Sequence, residues 1–295
     1  MNARNKAFLL AFSAMLIYGV SFTIAKEVMP QHLKPFGFIL LRVAGACTIF
    51  WSIGMSIRNE KIAYSDYPRL ILAAVFGIAL NQLAFFKGLS LTSPISASVI
   101  MVTSPILVMS FSAILLNEPI TLKKIGGILI GLVGAVVLIA FSQSASNASN
   151  ALLGNSLVFL NAASYSLYLI MIKRLTDRYH PITLAKWLYL FGLVMVIPFG
   201  YAELMEADWS SFNISIWWRV GFIVIFTSAL TYLFNLFAIR KLKPTTLSIF
   251  IYLQPVIASI YALLVGSDQL NLIKIAATLL IFTGVYLVTR KPKEK

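Results

Sequence analysis

Ile100-Met101-Val102-Thr103-Ser104-Pro105-Ile106-Leu107-Val108 and Phe250-Ile251-Tyr252-Leu253-Gln254-Pro255-Val256-Ile257-Ala258 each place a proline in the middle of a long apolar run, 150 positions apart. The same offset, without a gap, pairs Pro94 with Pro244, Ser98 with Ser248, Glu118 with Asp268, Lys124 with Lys274 and Gly134 with Gly284. The chain therefore reads as one unit written twice: residues 1–143, a linker at 144–150 and residues 151–295. The linker is short, uncharged and rich in Ser and Asn, as a flexible connection would be.

Composition sets the solvent. Hydrophobic residues make up 59% of the chain and charged residues 12%, with a mean hydropathy of +0.87. Soluble domains carry about twice that charge. The single cysteine, Cys47, rules out a disulfide framework and a cysteine-based metal cage. The net charge of +14 is spread in short groups between apolar stretches, so it reads as membrane-flanking charge and not as a nucleic-acid surface.

Stretches of about 20 apolar residues, enough to cross a bilayer core, fall at 7–26, 36–57, 68–88, 95–116, 123–142, 152–172, 183–203, 216–238, 245–265 and 271–289. The fold class expected is an all-α integral membrane protein of ten transmembrane helices, arranged as two five-helix repeats. With a cytoplasmic N-terminus, inner segments collect 18 of the 24 Lys and Arg, from Arg4 and Lys6 through Arg240, Lys241 and Lys243 to the basic C-terminus. The positive-inside rule then places both termini in the cytoplasm. An odd number of spans per unit makes the second repeat enter the membrane inverted. Loop charge agrees, since the basic 58–69 loop corresponds to one carrying Glu203, Glu206 and Asp208.

The residues also resemble a family. Tyr18-Gly19-Val20-Ser21-Phe22 with Lys26, Pro35 followed by Arg42, Gly88-Leu89-Ser90, Thr92-Ser93-Pro94, Ser96-Ala97-Ser98, Pro105 and Asn117-Glu118-Pro119 are similar to the EamA family of the drug/metabolite transporter superfamily. So is the series Gly127, Gly131 and Gly134. The resemblance covers both copies, more weakly in the second, where Asp268-Gln269 replaces Glu-Pro. It implies a multi-pass carrier of the bacterial inner membrane, with a cavity between the halves and export of amino acids or other small metabolites.

Matched helix breakers in two membrane-embedded halves point to a binding site between them. Pro105 and Pro255 would each free a backbone carbonyl deep in the bilayer, for a substrate or for helix packing. The polar candidates around them are Asn81, Gln82, Ser104, Asn161, Ser164, Thr231, Asn235 and Gln254, with Asn81 the repeat mate of Thr231, and they either line a cavity or bond helix to helix. Tyr18, Tyr165 and Tyr252 lie towards mid-span and offer an amphipathic handle to a substrate with an apolar body and polar ends. Arg42 lies six residues into its span, about 9 Å at 1.5 Å per residue. It attracts a carboxylate or phosphate, or snorkels to the interface. The expected site set is thus Tyr18, Arg42, Asn81, Ser104, Pro105, Asn161, Tyr165, Asn235, Tyr252, Gln254 and Pro255, between helices 1, 3 and 4 and helices 6, 8 and 9.

An intramembrane enzyme is the rival class. Its metal chemistry would need clustered ligands, whereas His32 and His180 stand in separate loops. No carboxylate pair lies inside a span, and no phosphate-binding Gly-rich loop precedes a Lys and Ser/Thr. Within the transporter reading the alternative cargo is an organic anion, a sugar phosphate or a nucleotide sugar, although a dianionic group would want several Arg or Lys at mid-span and only Arg42 comes near. A membrane scaffold or sensor is a third reading. It gives no reason for breakers and polar residues to recur at matching depths. The partners expected are a small-molecule substrate and the lipid bilayer, with no cofactor, no metal and no nucleic acid. Gly127, Gly131 and Gly134, near one face of a helix, suit close packing within the scaffold or a homodimer contact.

Overall fold

The structure is a computed structural model that describes residues 2–29, 31–55, 60–91, 97, 100–140, 151–264 and 272–289. Pro94, Ser98, Asp268 and the linker at 144–150 lie outside the described residues. The described chain is helical: α1 (Ala3–Val28), α2 (Pro35–Met55), α3 (Tyr64–Leu91), α4 (Ser104–Leu116), α5 (Leu122–Ala140), α6 (Ala151–Thr176), α7 (Pro181–Met205), α8 (Ile214–Lys241), α9 (residues 244–264) and α10 (Leu272–Thr289). Five of them, α2, α3, α6, α7 and α8, are long and apolar enough to cross a membrane. Helices answer the bilayer's demand that every backbone N–H and C=O be satisfied within its own segment.

Local signals set the ends. Pro35, Pro181 and Pro244 each open a helix, where the missing N–H costs nothing. Asn213 caps α8 by accepting a hydrogen bond from the Ile216 N–H at 3.0 Å. Asn117 closes α4 in the left-handed conformation, at φ 51°.

Backbone-close pairs hold the bundle together. α2 runs antiparallel to α7, and the pair is pinned at both ends by carboxylates. Glu203 accepts from the N–H groups of Phe36 and Gly37 at 2.7 and 3.0 Å, and Glu60 accepts from the His180 N–H at 2.8 Å. Each acid thereby caps a helix N-terminus, where a negative charge is favoured. Gly37 and Gly200 let the two backbones approach; a Cβ on Gly200 would stand 2.5 Å from the Phe36 carbonyl oxygen. The glycine face of α5 lies against α10, with Gly127 beside Gly284 and Gly134 beside Ala277. Small residues allow such approach where lipid offers no hydrophobic drive.

The remaining contacts position the cavity. α1 packs on α8 and α9, and α6 packs on α3 and α4. Arg4, at the start of α1, donates to the Thr289 carbonyl at the end of α10 at 2.9 Å, so both ends of the described chain meet on one side of the bundle.

Two departures from α-geometry were not expected from the sequence. α3 contains a π-helical stretch at Val75–Ala79, and α8 contains one at Ile223–Leu230. The offset of 150 carries the first into the second. α4 is preceded by a turn at Val102 and Thr103, and α9 passes through a 3-10 stretch at Ile249–Tyr252. Each irregularity falls just before its proline, Pro105 or Pro255.

Candidate functional site

A cavity of about 1150 Å³, counting the space at its mouth, lies between α1, α2, α3, α6, α7, α8 and α9. Two elements beyond the expected set contribute to it: α2 through Arg42 and α7 through Tyr189.

The π stretches shape its wall. A π turn leaves one carbonyl per bulge without its usual partner, and such bulges recur at functional sites. In α3 the Phe76 carbonyl accepts from the Ser164 hydroxyl of α6 at 2.7 Å. In α8 the Ser228 carbonyl accepts from the Tyr189 hydroxyl at 2.9 Å, and the Ser228 hydroxyl donates back to the Ile223 carbonyl at 2.9 Å. Just beyond the first stretch stand Asn81 and Gln82; within and beyond the second stand Thr227, Tyr232 and Asn235.

Asn81 and Asn161 join α3 to α6 reciprocally, each amide nitrogen donating to the other residue's backbone carbonyl, at 3.3 and 2.8 Å. On the facing side, Ser21 of α1 and Thr227 of α8 share a hydrogen bond of 2.6 Å. Aromatic rings run in series along the wall: Tyr165 to Tyr168 at 6.2 Å, Tyr168 to Tyr232 at 5.7 Å and Tyr232 to Tyr189 at 4.8 Å between centroids.

Arg42 is 7% exposed. Its Nε donates to the Ser228 hydroxyl at 3.0 Å, and its guanidinium lies 4.8 Å from the Phe86 ring centroid. Among the described residues no carboxylate lies within ion-pair distance of it. Four side-chain oxygens of wall residues, Gln82 Oε1, Asn161 Oδ1, Asn235 Oδ1 and the Tyr232 hydroxyl, are buried without a hydrogen-bond partner among the described residues.

Of the expected site residues, Tyr18, Arg42, Asn81, Asn161, Tyr165, Asn235 and Gln254 line the cavity. Ser104, Pro105, Tyr252 and Pro255 do not. Ser104 is fully buried at the junction of α4 with α6, where its carbonyl accepts from the Ser166 hydroxyl at 3.4 Å. Pro105 starts α4 and is buried beside it. Tyr252 points its ring at α5, where a Cβ on Gly131 would come within 2.5 Å of it. Ile251 and Gln254, three residues apart across the end of the 3-10 stretch, share the cavity face, and Tyr252 between them turns away. The prolines act through the backbone, by breaking the helices whose neighbouring residues, Met101, Ile251 and Gln254, reach the cavity.

Sequence reasoning did not reach Met15, Gly77, Phe86, Thr227 or Ser228 as site residues. Gly77 and Phe86 look like ordinary membrane-helix residues. The one available signal was the repeat itself: the offset of 150 maps Gly77 onto Thr227, next to the pair Asn81 and Thr231.

The EamA-like transporter family model matches the chain twice, over residues 5–140 and 152–290. The chain belongs to this family. It is accordingly a multi-pass membrane transporter and not an enzyme. An uncharacterized transporter of Archaeoglobus fulgidus is 27% identical over 286 residues, covering 97% of this chain and 99% of that one. The uncharacterized transporter YyaM of Bacillus subtilis is 24% identical, covering 97% of this chain and 94% of its own length. The WAT1-related protein At4g30420 of Arabidopsis thaliana is 26% identical, covering 92% and 82%. A solved crystal structure shares the fold with a TM-score of 0.77 at 18% identity, covering 96% of both chains.

Proposed function

We propose that this EamA-family member is a secondary carrier of ten transmembrane helices, built as two inverted five-helix units. It exports a small amphipathic metabolite, an amino acid or a derivative of one, across the bacterial inner membrane, with both termini in the cytoplasm. Transport proceeds by alternating access, one unit rocking against the other around the central cavity.

The observation that carries this reading is the cavity wall. Both units supply it through equivalent helices, and both bend those helices with irregular backbone at matching positions: π stretches in α3 and α8, breaks before Pro105 and Pro255. Irregular backbone at membrane depth is tolerated where it lines a cavity or is buried in protein. The packing supports the repeat, since exchanging the units turns the contacts of α1 with α8 and α9 into those of α6 with α3 and α4; the inversion itself rests on the odd number of spans per unit and on loop charge. The mixture of tyrosine rings, amides and one cation suits a substrate with an apolar body and polar ends.

Substrate-dependent counterflow in proteoliposomes tests the carrier. Accumulation of labelled substrate against an unlabelled internal pool is expected; binding without counterflow would leave a sensor or scaffold. Lys61→Cys and Ala207→Cys, each in a Cys47→Ser background, test the inversion. Labelling of both from one side of the membrane would refute it.

A further inference from the structure

Arg42 brings a positive charge into the cavity that no acid offsets. Among the described residues lining the cavity it is the one charged side chain. Its guanidinium has five N–H donors. One of them, on Nε, is used by Ser228; those on Nη1 and Nη2 have no hydrogen-bond partner among the described residues. A cation this deeply buried is costly unless it is paired and hydrogen-bonded. The Phe86 face compensates in part. A planar two-oxygen anion would meet the free edge of the guanidinium with two parallel hydrogen bonds.

The rest of the wall limits what else that anion carries. No Asp or Glu is present among the described lining residues to balance an ammonium. A zwitterion would bring no net charge and leave the surplus of Arg42 in place; an amine would double it. In a medium of low dielectric such a surplus is far more expensive than in water. The orphaned amide oxygens of Gln82, Asn161 and Asn235 do ask for donors, and the orphaned Tyr232 hydroxyl can accept or give one. A hydroxyl or amide N–H meets that need without adding charge. Tyr18, Tyr165, Tyr168, Tyr189 and Tyr232 supply flat faces for an apolar body between the two polar ends.

We infer that the cavity selects an organic monocarboxylate, its carboxylate on Arg42 and its apolar body, bearing a neutral hydrogen-bond donor, among the tyrosines. This rests on the carrier reading and narrows it: among amino-acid derivatives it favours those that keep the carboxylate and lack the ammonium, such as 2-hydroxy acids and hydroxyaryl carboxylates.

The test uses two series of one body each, measured at pH 7 on the full-length protein by calorimetry and then by counterflow. The aromatic series is 3-(4-hydroxyphenyl)propionate, its neutral amide, L-tyrosine and tyramine. The aliphatic series is 2-hydroxy-4-methylvalerate, L-leucine and isoamylamine. In at least one series the carboxylate should bind about 10- to 100-fold more tightly than the zwitterion or the amide, the range of one charge-assisted pair. The amines should not bind. Arg42→Gln should erase the preference, and Arg42→Lys should keep it at reduced affinity. If Arg42→Gln does not fold, the wild-type charge series and Arg42→Lys still decide. Zwitterion binding equal to or tighter than carboxylate binding overturns the inference, as does the absence of carboxylate binding in both series. Counterflow of a zwitterion would then leave the carrier standing. Carboxylate binding without counterflow would uphold the anion site and remove the carrier.

Discussion

The ring of Tyr168 in α6 occupies the space that a side chain on Gly77 in α3 would need. An offset of 147, which pairs Tyr18 with Tyr165 and Lys26 with Lys173 in the first helices of the two units, carries Tyr168 onto Ser21, and the offset of 150 carries Gly77 onto Thr227. Those two residues meet at the equivalent junction of α1 with α8, by a hydrogen bond of 2.6 Å. The same helix crossing is thus built once from a ring in a notch and once from two hydroxyls. Gly77→Ala should overpack the first junction and cost about 1–3 kcal/mol. Adding Tyr168→Ser should recover much of that stability without restoring the wild-type substrate profile. Thermal denaturation and counterflow of the single and double variants check both halves of the expectation.

Ser228 holds Arg42 in its place. Its hydroxyl accepts from the Arg42 Nε at 3.0 Å and donates to the Ile223 carbonyl. Ser228→Ala removes a hydrogen bond to a charged group, worth about 1.5–3 kcal/mol. Affinity for an anionic substrate should fall roughly 10-fold or more, while Ser228→Thr should stay closer to wild type. Equal affinities in all three proteins would mean that the guanidinium needs no positioning.

Asn161 serves both packing and the cavity. Its amide nitrogen donates to the Asn81 carbonyl at 2.8 Å, its oxygen is buried without a partner, and the residue lines the cavity. Asn161→Leu should cost about 0.6–1.7 kcal/mol of stability, as interhelical hydrogen bonds in membranes do. It should also weaken substrates that carry a neutral donor more than those that lack one. Thermal shift with and without substrate separates the two effects.

Glu118 ties the end of α4 to the start of α9. Its Oε1 accepts from the Thr245 hydroxyl and from Lys124 Nζ, each at 2.5 Å. Glu118→Gln removes the charge that holds Lys124 and should loosen this end of the bundle. A cysteine at Ser21, in a Cys47→Ser background, should then react several-fold faster with an impermeant reagent applied to the side where Arg4 meets Thr289. Unchanged labelling would mean that the junction does not close the cavity.

Much of the fold was legible because a bilayer permits little else. The apolar runs expected at 36–57 and 183–203 are the helices Pro35–Met55 and Pro181–Met205, and their opening prolines mark the starts. Gly127 and Gly134 were readable as a packing face, and the structure sets them against α10. Arg42, Asn81 and Asn161 stood out because charged and amide groups in hydrocarbon are costly without a partner. Ser104 drew the same inference from its place beside Pro105, yet it is buried between helices; a single hydroxyl satisfies itself locally too easily to mark a cavity.

From its sequence alone this chain determined a doubled set of membrane helices, the places where they break and the polar residues they bury. Both the cost of an unsatisfied backbone group in lipid and the low helix tolerance of proline act locally, so they are written residue by residue. Which face each helix turns to the cavity was decided only in three dimensions. An apolar helix looks alike towards lipid and towards its neighbours, and the π stretches of α3 and α8 and the 3-10 stretch of α9 rotate every residue after them. Gln254, after the 3-10 stretch, reaches the wall while Tyr252, within it, does not, and Ser228, within the π stretch of α8, meets Arg42.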